Sequence, residues 1–176
     1  MHCTAYIATS LDGFIARTDG SLDWLEAAQA TIPAGEDCGY AGYMATVDAI
    51  VMGRHTYDKV RSFTPWPYDK PVYVLSRTLQ ALPAGAPVGV QLCGGSPTAL
   101  AAVAARHGHH LYIDGGLTVQ AFIAAGLLQE ITITRIPVLL GQGLPLFGPL
   151  PTAPRGAPAA LALEHLATRS YPGGLV

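Results

Sequence analysis

Three short segments of this chain carry residue types suited to gripping phosphate, and each directly follows an apolar run. Gly53-Arg54-His55-Thr56 follows a run ending at Met52, Ser76-Arg77-Thr78 follows Val72–Leu75, and Asp114-Gly115-Gly116 follows Leu111–Ile113. In the first, glycine admits close backbone approach, a helix start attracts anions, Arg54 offers a two-pronged donor and Thr56 a hydroxyl. The second is a hydroxyl-cation-hydroxyl cluster of the kind a ribose 2′-phosphate requires. The third offers free amides at another helix start, where a pyrophosphate can lie. A glycine before a helix is by itself ordinary turn geometry. Three such segments in equivalent positions point to one phosphorylated ligand.

Candidates for the reaction itself are fewer. Asp12, in Ser10-Leu11-Asp12-Gly13, can approach a substrate or orient a loop, but an Asp before Gly also stabilises a turn. Asp23 and Glu26 can bind a substrate, or simply favour the dipole of a helix that starts near Ser21. Trp24 can stack on a flat heterocycle or staple that helix to a core. His55 reads as a helix-start contact, and His107, His109 and His110 read as solvated loop residues.

The elements that must position these groups alternate. Cys3–Thr9, Asp48–Gly53, Val72–Ser76, Val88–Leu92 and Leu111–Asp114 are short β-leaning runs, several of them continuously apolar as in strands buried on both faces. Helical stretches are expected near Ser21–Glu26, Gly42–Thr46, Pro97–His107 and Val119–Leu128. Ile131–Val138 alternates apolar and polar residues. A Pro/Gly-rich segment, Leu140–Pro158, then reads as a lid, a dimer arm or a plain surface connection before a terminal pair of strands at Ala160–Leu166 and Ser170–Val176. The pattern predicts an α/β domain, three-layer α/β/α, with a mostly parallel central sheet and antiparallel C-terminal edge strands. Residues 1–176 are expected to form a single domain.

Composition narrows the function. Half the 176 residues are hydrophobic and 12% are charged, which suggests that some apolar surface is covered in a homodimer. A net charge of −2 supplies no basic field for nucleic acid. Cys3, Cys38 and Cys93 are odd in number and widely spaced, so neither a disulfide framework nor a metal site is expected, and a cytoplasmic setting fits. No apolar run approaches the roughly 18 residues of a membrane span. The turn after the first strand lacks GxGxxG and no Gly-Lys-Ser/Thr loop occurs, which argues against a Rossmann dehydrogenase and a P-loop NTPase.

Val51-Met52-Gly53-Arg54-His55-Thr56-Tyr57 resembles the dihydrofolate reductase motif whose Arg and Thr hold cofactor phosphates. Leu75-Ser76-Arg77 resembles the next strand end of that family, and Ile113-Asp114-Gly115-Gly116 its Gly-Gly, there joined by a cis peptide bond. Ser10-Leu11-Asp12-Gly13, Ser21–Leu25 and Gly141–Phe147 are similar to the riboflavin-pathway branch, the RibD C-terminal reductase domain and its stand-alone relatives. The resemblance spans nearly the whole chain. It implies NADPH as cofactor, with the backbone of Ala8 and Ile15 at the nicotinamide carboxamide. Gly53, Arg54, His55, Thr56, Ser76 and Arg77 would then bind phosphates, and Gly115, Gly116, Leu117, Thr118 and Val119 would line the pyrophosphate. Asp12, Asp23 and Trp24 become the candidate catalytic residues. The implied activity is reduction of a small pyrimidine- or pteridine-like molecule, nearest to 5-amino-6-(5-phosphoribosylamino)uracil. A phosphoribosyl group would need a second cation, for which Arg17 and Lys59 are the spares. The alternatives are a genuine dihydrofolate reductase, for which Gln29 stands five residues after Trp24 where an acid is expected, and a non-catalytic nucleotide-binding dimer.

Overall fold

The structure is a computed structural model that describes residues 1–104, 106, 108–149 and 160–176. Its strands are β1 (His2–Ser10), β2 (Phe14–Ala16), β3 (Ala49–Gly53), β4 (Val72–Leu75), β5 (Val90–Cys93), β6 (His110–Asp114), β7 (Glu130–Ile136) and β8 (Leu144–Pro145). The helices are α1 (Asp23–Gln29), α2 (Tyr40–Thr46), α3 (Arg54–Val60), α4 (Pro97–Ala104) and α5 (Gly116–Ala124), with a 3-10 turn at Pro172–Gly174. The main sheet runs β5-β4-β3-β6-β1-β7, and the pairings from β5 through to β1 are all parallel. A small antiparallel sheet joins β2 to β8. The fold is thus the α/β, mostly parallel one expected.

The described residues fall into two compact units. The first comprises Met1–Ile7 and Gly39–Thr132, the second Ala8–Cys38 and Ile133–Val176. In the first, β3 and β4 are apolar runs buried on both faces, as central parallel strands must be. Ile50, Met52, Val72 and Val74 pack with Val47, Tyr57 and Tyr112 into one core. Each fully buried aliphatic side chain there contributes roughly 1.5–3 kcal/mol. The second unit has its own core, in which Trp24, Cys38, Ile136 and Leu175 meet.

Several expectations about element bounds change. The fifth strand begins at Val90, not Val88, because Val90 N–H closes a turn onto Pro87 O at 3.3 Å and Val88 is fully exposed. The helix expected from Val119 begins at Gly116 and stops at Ala124. There Leu127 N–H donates to Phe122 O (2.9 Å) and Gly126 N–H to Ile123 O (3.0 Å), the paired bonds of a glycine-terminated helix end. The helix cap expected at Ser21 is taken by Leu22, without a side-chain hydrogen bond. Residues 160–169 are exposed and carry no strand; only the end of the expected terminal pair is ordered in that sense, through a Tyr171–Leu175 bridge and reciprocal amide bonds between Arg135 and Val176. The Pro/Gly-rich segment contains β8, while its residues 150–158 lie outside the described residues.

Candidate functional site

Parallel register decides what the strand ends can do. Gly53 of β3 pairs with Leu75 of β4, and Met52 pairs with Asp114 of β6. Gly53–Thr56, Ser76–Arg77 and Gly115–Gly116 therefore leave three adjacent strands at the same edge of the first unit, where ligands of open α/β sheets collect. Two glycines let the elements behind that edge close. A Cβ on Gly53 would stand 2.9 Å from Thr118 Oγ1, and one on Gly115 would overlap Thr56 Oγ1. The threonine of each helix thus fills the space left by the other strand's glycine. Gly115 also takes φ 87°, ψ 137° to turn β6 into α5, and its bond to Gly116 is trans, since Thr64–Pro65 is the cis bond found among the described residues.

The donors at this edge suit an anion. Ser76 Oγ accepts the amides of Thr78 (3.2 Å) and Leu79 (3.0 Å) and lies 3.5 Å from Thr78 Oγ1, either hydroxyl being able to donate to the other, and Arg77 beside it is exposed. Arg54 is partly buried, with Nη2 3.4 Å from Nε2 of the exposed His55. Neither α3 nor α5 has a side-chain cap, and at the start of α5 Leu117 is exposed whereas Gly116 is buried, so it is the Leu117 amide that lies nearest solvent. Thr118 and Val119 differ from the expectation that they line a pyrophosphate. Their amides donate to Gly115 O at 3.0 and 2.9 Å, Thr118 faces Gly53, and Val119 is 0% exposed, because both residues form the buried side of α5.

Beside this edge stands a carboxyl among tyrosines. Asp114 closes β6 and is partly buried; Tyr68 Oη donates to its Oδ2 at 3.4 Å, and the Tyr68 and Tyr40 hydroxyls hydrogen-bond each other. Tyr112 Oη donates to Tyr6 O at 3.0 Å. Burial raises the Asp114 carboxyl above its ordinary value, against the lowering effect of the Gly115 amide and the Tyr112 and Tyr68 hydroxyls. Burial also raises Tyr40, to about 12, and pushes Tyr43, Tyr68 and Tyr112 upward, with the Asp114 charge contributing.

The second unit holds the remaining candidates. Asp12 Oδ1 accepts the Ser10 hydroxyl (2.6 Å) and the Leu140 amide (3.2 Å), and Oδ2 accepts the Gly141 amide (2.8 Å). The Ser10 bond, with these amides, holds the Asp12 carboxyl below its usual range. This is the geometry of a loop anchor. Asp23 lies in a two-pronged pair with Arg17 (2.6 and 3.0 Å), which lowers its pKa and occupies one of the two spare cations. Lys59 sits 6.0 Å from the centroid of the Phe63 ring. Trp24 is 5% exposed and packs in the core, so its ring face is not open to a heterocycle. Ala8 and Ile15 lie on β1 and β2 and are partly buried.

Three histidines were expected in a solvated loop. His109 is exposed, but His110 opens β6, with Nε2 2.8 Å from Thr4 Oγ1 and Nδ1 2.9 Å from Thr46 O, because strand pairing carries it inward; His107 lies outside the described residues. The sequence reading missed Gly94-Gly95-Ser96, which follows β5 beside Leu75 and leads into α4, with Ser96 Oγ accepting the Ala99 amide at 3.2 Å. Its signal was the same one, glycine between a strand and a helix. It also missed Tyr40 and Tyr68, for which no local signal exists.

Comparison with known proteins gives a consistent result. The RibD C-terminal domain matches residues 2–176. The Bacillus subtilis (strain 168) protein YwjB is 39% identical over 152 residues, covering 81% of this chain and 80% of YwjB. YyaP of the same organism is 26% identical over 97% of this chain and 89% of its own length; neither name states an activity. Among solved structures, a Shewanella sp. PV-4 protein named for riboflavin biosynthesis superposes with a TM-score of 0.87 at 41% identity, over 99% of this chain and 95% of that one. Dihydrofolate reductase from Enterococcus faecalis, solved with NADP(H), superposes with a TM-score of 0.52 at 19% identity, over 82% and 76%, which is a likeness of fold.

Proposed function

The chain belongs to the RibD C-terminal domain family, and from that premise we propose that it is an NADPH-dependent reductase of a small pyrimidine- or pteridine-like molecule, nearest to 5-amino-6-(5-phosphoribosylamino)uracil. What supports this reading most is the register that gathers Arg54, Ser76, Arg77 and the uncapped start of α5 at one sheet edge. These donors fit a phosphorylated dinucleotide: Arg77 and the Ser76 proton meet the 2′-phosphate, while Arg54, Thr56 and the Gly116 and Leu117 amides meet the pyrophosphate. NADPH supplies the hydride, so the protein's task is to orient the reactants and exclude water. In this reading Ala8 and Ile15 hold the carboxamide through their backbones, and Asp12, tied to Leu140 and Gly141, fixes the turn between them. Asp23 and Trp24 act as supports of α1. A homodimer belongs to the same reading, and the exposed Leu161, Leu163 and Leu166 suit a covered surface.

The test is titration of both nicotinamide cofactors. Arg77→Ala should weaken NADPH by roughly ten- to a hundredfold, the loss of a charged hydrogen bond, and leave NADH nearly unchanged. Equal losses for the two would defeat the assignment. Turnover of dihydrofolate but not of the aminouracil would move the substrate to the dihydrofolate reductase alternative.

A further inference from the structure

We propose that this chain takes its heterocycle without a phosphoribosyl arm: the substrate side of the first unit suits a flat, unphosphorylated ring, which the paired hydroxyls of Tyr40 and Tyr68 recognise. The proposal rests on the reductase reading above and narrows the substrate class named there.

The wall that leads to the carboxyl end of β6 is aromatic. Tyr6 meets Tyr40 and Tyr43 with ring centroids 5.7 and 4.9 Å apart, Tyr43 meets Tyr112 edge-on at 5.3 Å, and Trp66 meets Tyr68 edge-on at 5.5 Å. All six residues belong to the first unit. Their hydroxyls are not equivalent. Tyr43 Oη bonds Thr4 Oγ1 at 2.8 Å and Tyr112 Oη donates to Tyr6 O at 3.0 Å, which ties both phenols to β1. The Tyr40 and Tyr68 hydroxyls bond each other instead, and Tyr68 reaches Asp114 Oδ2 through a long 3.4 Å contact at the strand end where ligands of such sheets collect. Both of these rings are partly buried. A phenol donates one hydrogen bond and accepts others, so the pair can accept from a ring N–H or amino group and, by rotation, donate to a ring carbonyl. Those are the polar groups on the edge of a neutral aminopyrimidine, and the tyrosine rings add apolar contact area for its faces.

A phosphate has no partner in the same place. The charged groups acting on Tyr40, Tyr43, Tyr68 and Tyr112 are the carboxyls of Asp114 and Glu130, with no cation among the described residues that act on them. Arg54 and Arg77 serve the cofactor in the reading above. Of the two spare cations, Arg17 is forked by Asp23 and Lys59 lies 6.0 Å from the centroid of the Phe63 ring. Arg61 is exposed at the far end of α3, and Lys70 precedes the amino end of β4, opposite to the ligand-collecting edge. A dianion placed among phenols and a carboxyl, without a counter-charge, loses hydration that nothing replaces and meets a like charge. A neutral ring pays neither cost. Unpaired polar groups discriminate between substrates more sharply than a change of apolar size does.

The experiment compares 5-amino-6-(ribosylamino)uracil with its 5′-phosphate, both offered anaerobically to the full chain and followed by consumption of NADPH. The unphosphorylated compound should give a kcat/KM roughly ten- to a hundredfold higher, the worth of one missing charged hydrogen bond. An equal or higher kcat/KM for the 5′-phosphate overturns the proposal. Tyr40→Phe and Tyr68→Phe should each raise KM for the unphosphorylated compound about two- to tenfold, and bind NADPH within about twofold of wild type. An unchanged KM in both variants means that the hydroxyl pair is structural and the recognition assigned to it is wrong. Should either variant fail to fold, the comparison of the two compounds on the wild type still decides the substrate class. NADPH titration keeps the two readings apart. Wild type that does not bind NADPH defeats the reductase reading and this proposal with it, whereas wild type that binds NADPH but neither binds nor reduces the unphosphorylated compound defeats this proposal alone.

Discussion

Substituting alanine for Gly53 or Gly115, alone and with the facing threonine changed, probes how the phosphate edge is assembled. At position 53 the new Cβ meets Thr118 Oγ1 at 2.9 Å, while the backbone, at φ −78°, suits any residue. Thr118 is buried and β-branched, so it cannot swing aside freely. The cost is steric, about 1–3 kcal/mol. At position 115 the Cβ overlaps Thr56 Oγ1, and the residue must also hold φ 87°, ψ 137°. That backbone adds roughly 1–3 kcal/mol for an L side chain, giving about 2–6 kcal/mol in all. The second substitution separates the two contributions. Thr118→Ala should recover most of the Gly53→Ala loss, whereas Thr56→Ala should recover only the steric part at 115. Urea unfolding with an unchanged m-value reads the stabilities, and the coupling energies follow from the two double-mutant cycles. If Gly115→Ala lies within about 0.5 kcal/mol of wild type, or Thr56→Ala rescues it completely, the interlock between the two strand ends does not exist.

Other predictions concern the carboxylates, the second core and the thiols. The Asp12, Asp23 and Asp48 carboxyls sit below their unfolded values, so their contribution to stability is present above the unfolded pKa and is lost as pH falls through the folded one. Asp48→Asn should therefore flatten the acid side of the stability curve measured by urea unfolding between pH 6 and pH 3. Asp114 has the opposite sign, since a raised folded pKa makes the protein less stable as pH rises through it. Asp114→Asn should accordingly raise the urea midpoint at pH 8 and leave it nearly unchanged at pH 3; a rise at both would mean that charge is not the cause. Trp24→Ala empties the second unit's core and should cost about 3–5 kcal/mol, whereas loss of NADPH binding at unchanged stability would return Trp24 to a ligand-contacting role. Burial raises the thiols of Cys3, Cys38 and Cys93, so alkylation of the native protein at neutral pH should be slow and should accelerate on unfolding; one fast thiol in the folded protein would contradict this.

The sequence by itself determined the elements and the strand ends that carry phosphate-binding groups. Ala49–Met52, Val72–Leu75 and Leu111–Ile113 are continuous apolar runs, and a glycine or serine follows each within one or two residues. That information is local: backbone preference and chain direction place the groups at carboxyl ends before any tertiary contact forms. Only tertiary structure decided what the acids and aromatics do. Asp12 became a loop anchor because Leu140 and Gly141, some 130 residues on, bring their amides to it. Trp24 went inward because Cys38, Ile136 and Leu175 close around it, and β2 was invisible because its partner β8 lies in a Pro/Gly-rich stretch. Asp114 is the clearest case. Its proton affinity depends on Tyr40, Tyr68 and Tyr112, which come from separate parts of the chain. A side chain's type is written in the sequence, but its local dielectric and its hydrogen-bond partners belong to whatever the fold packs against it.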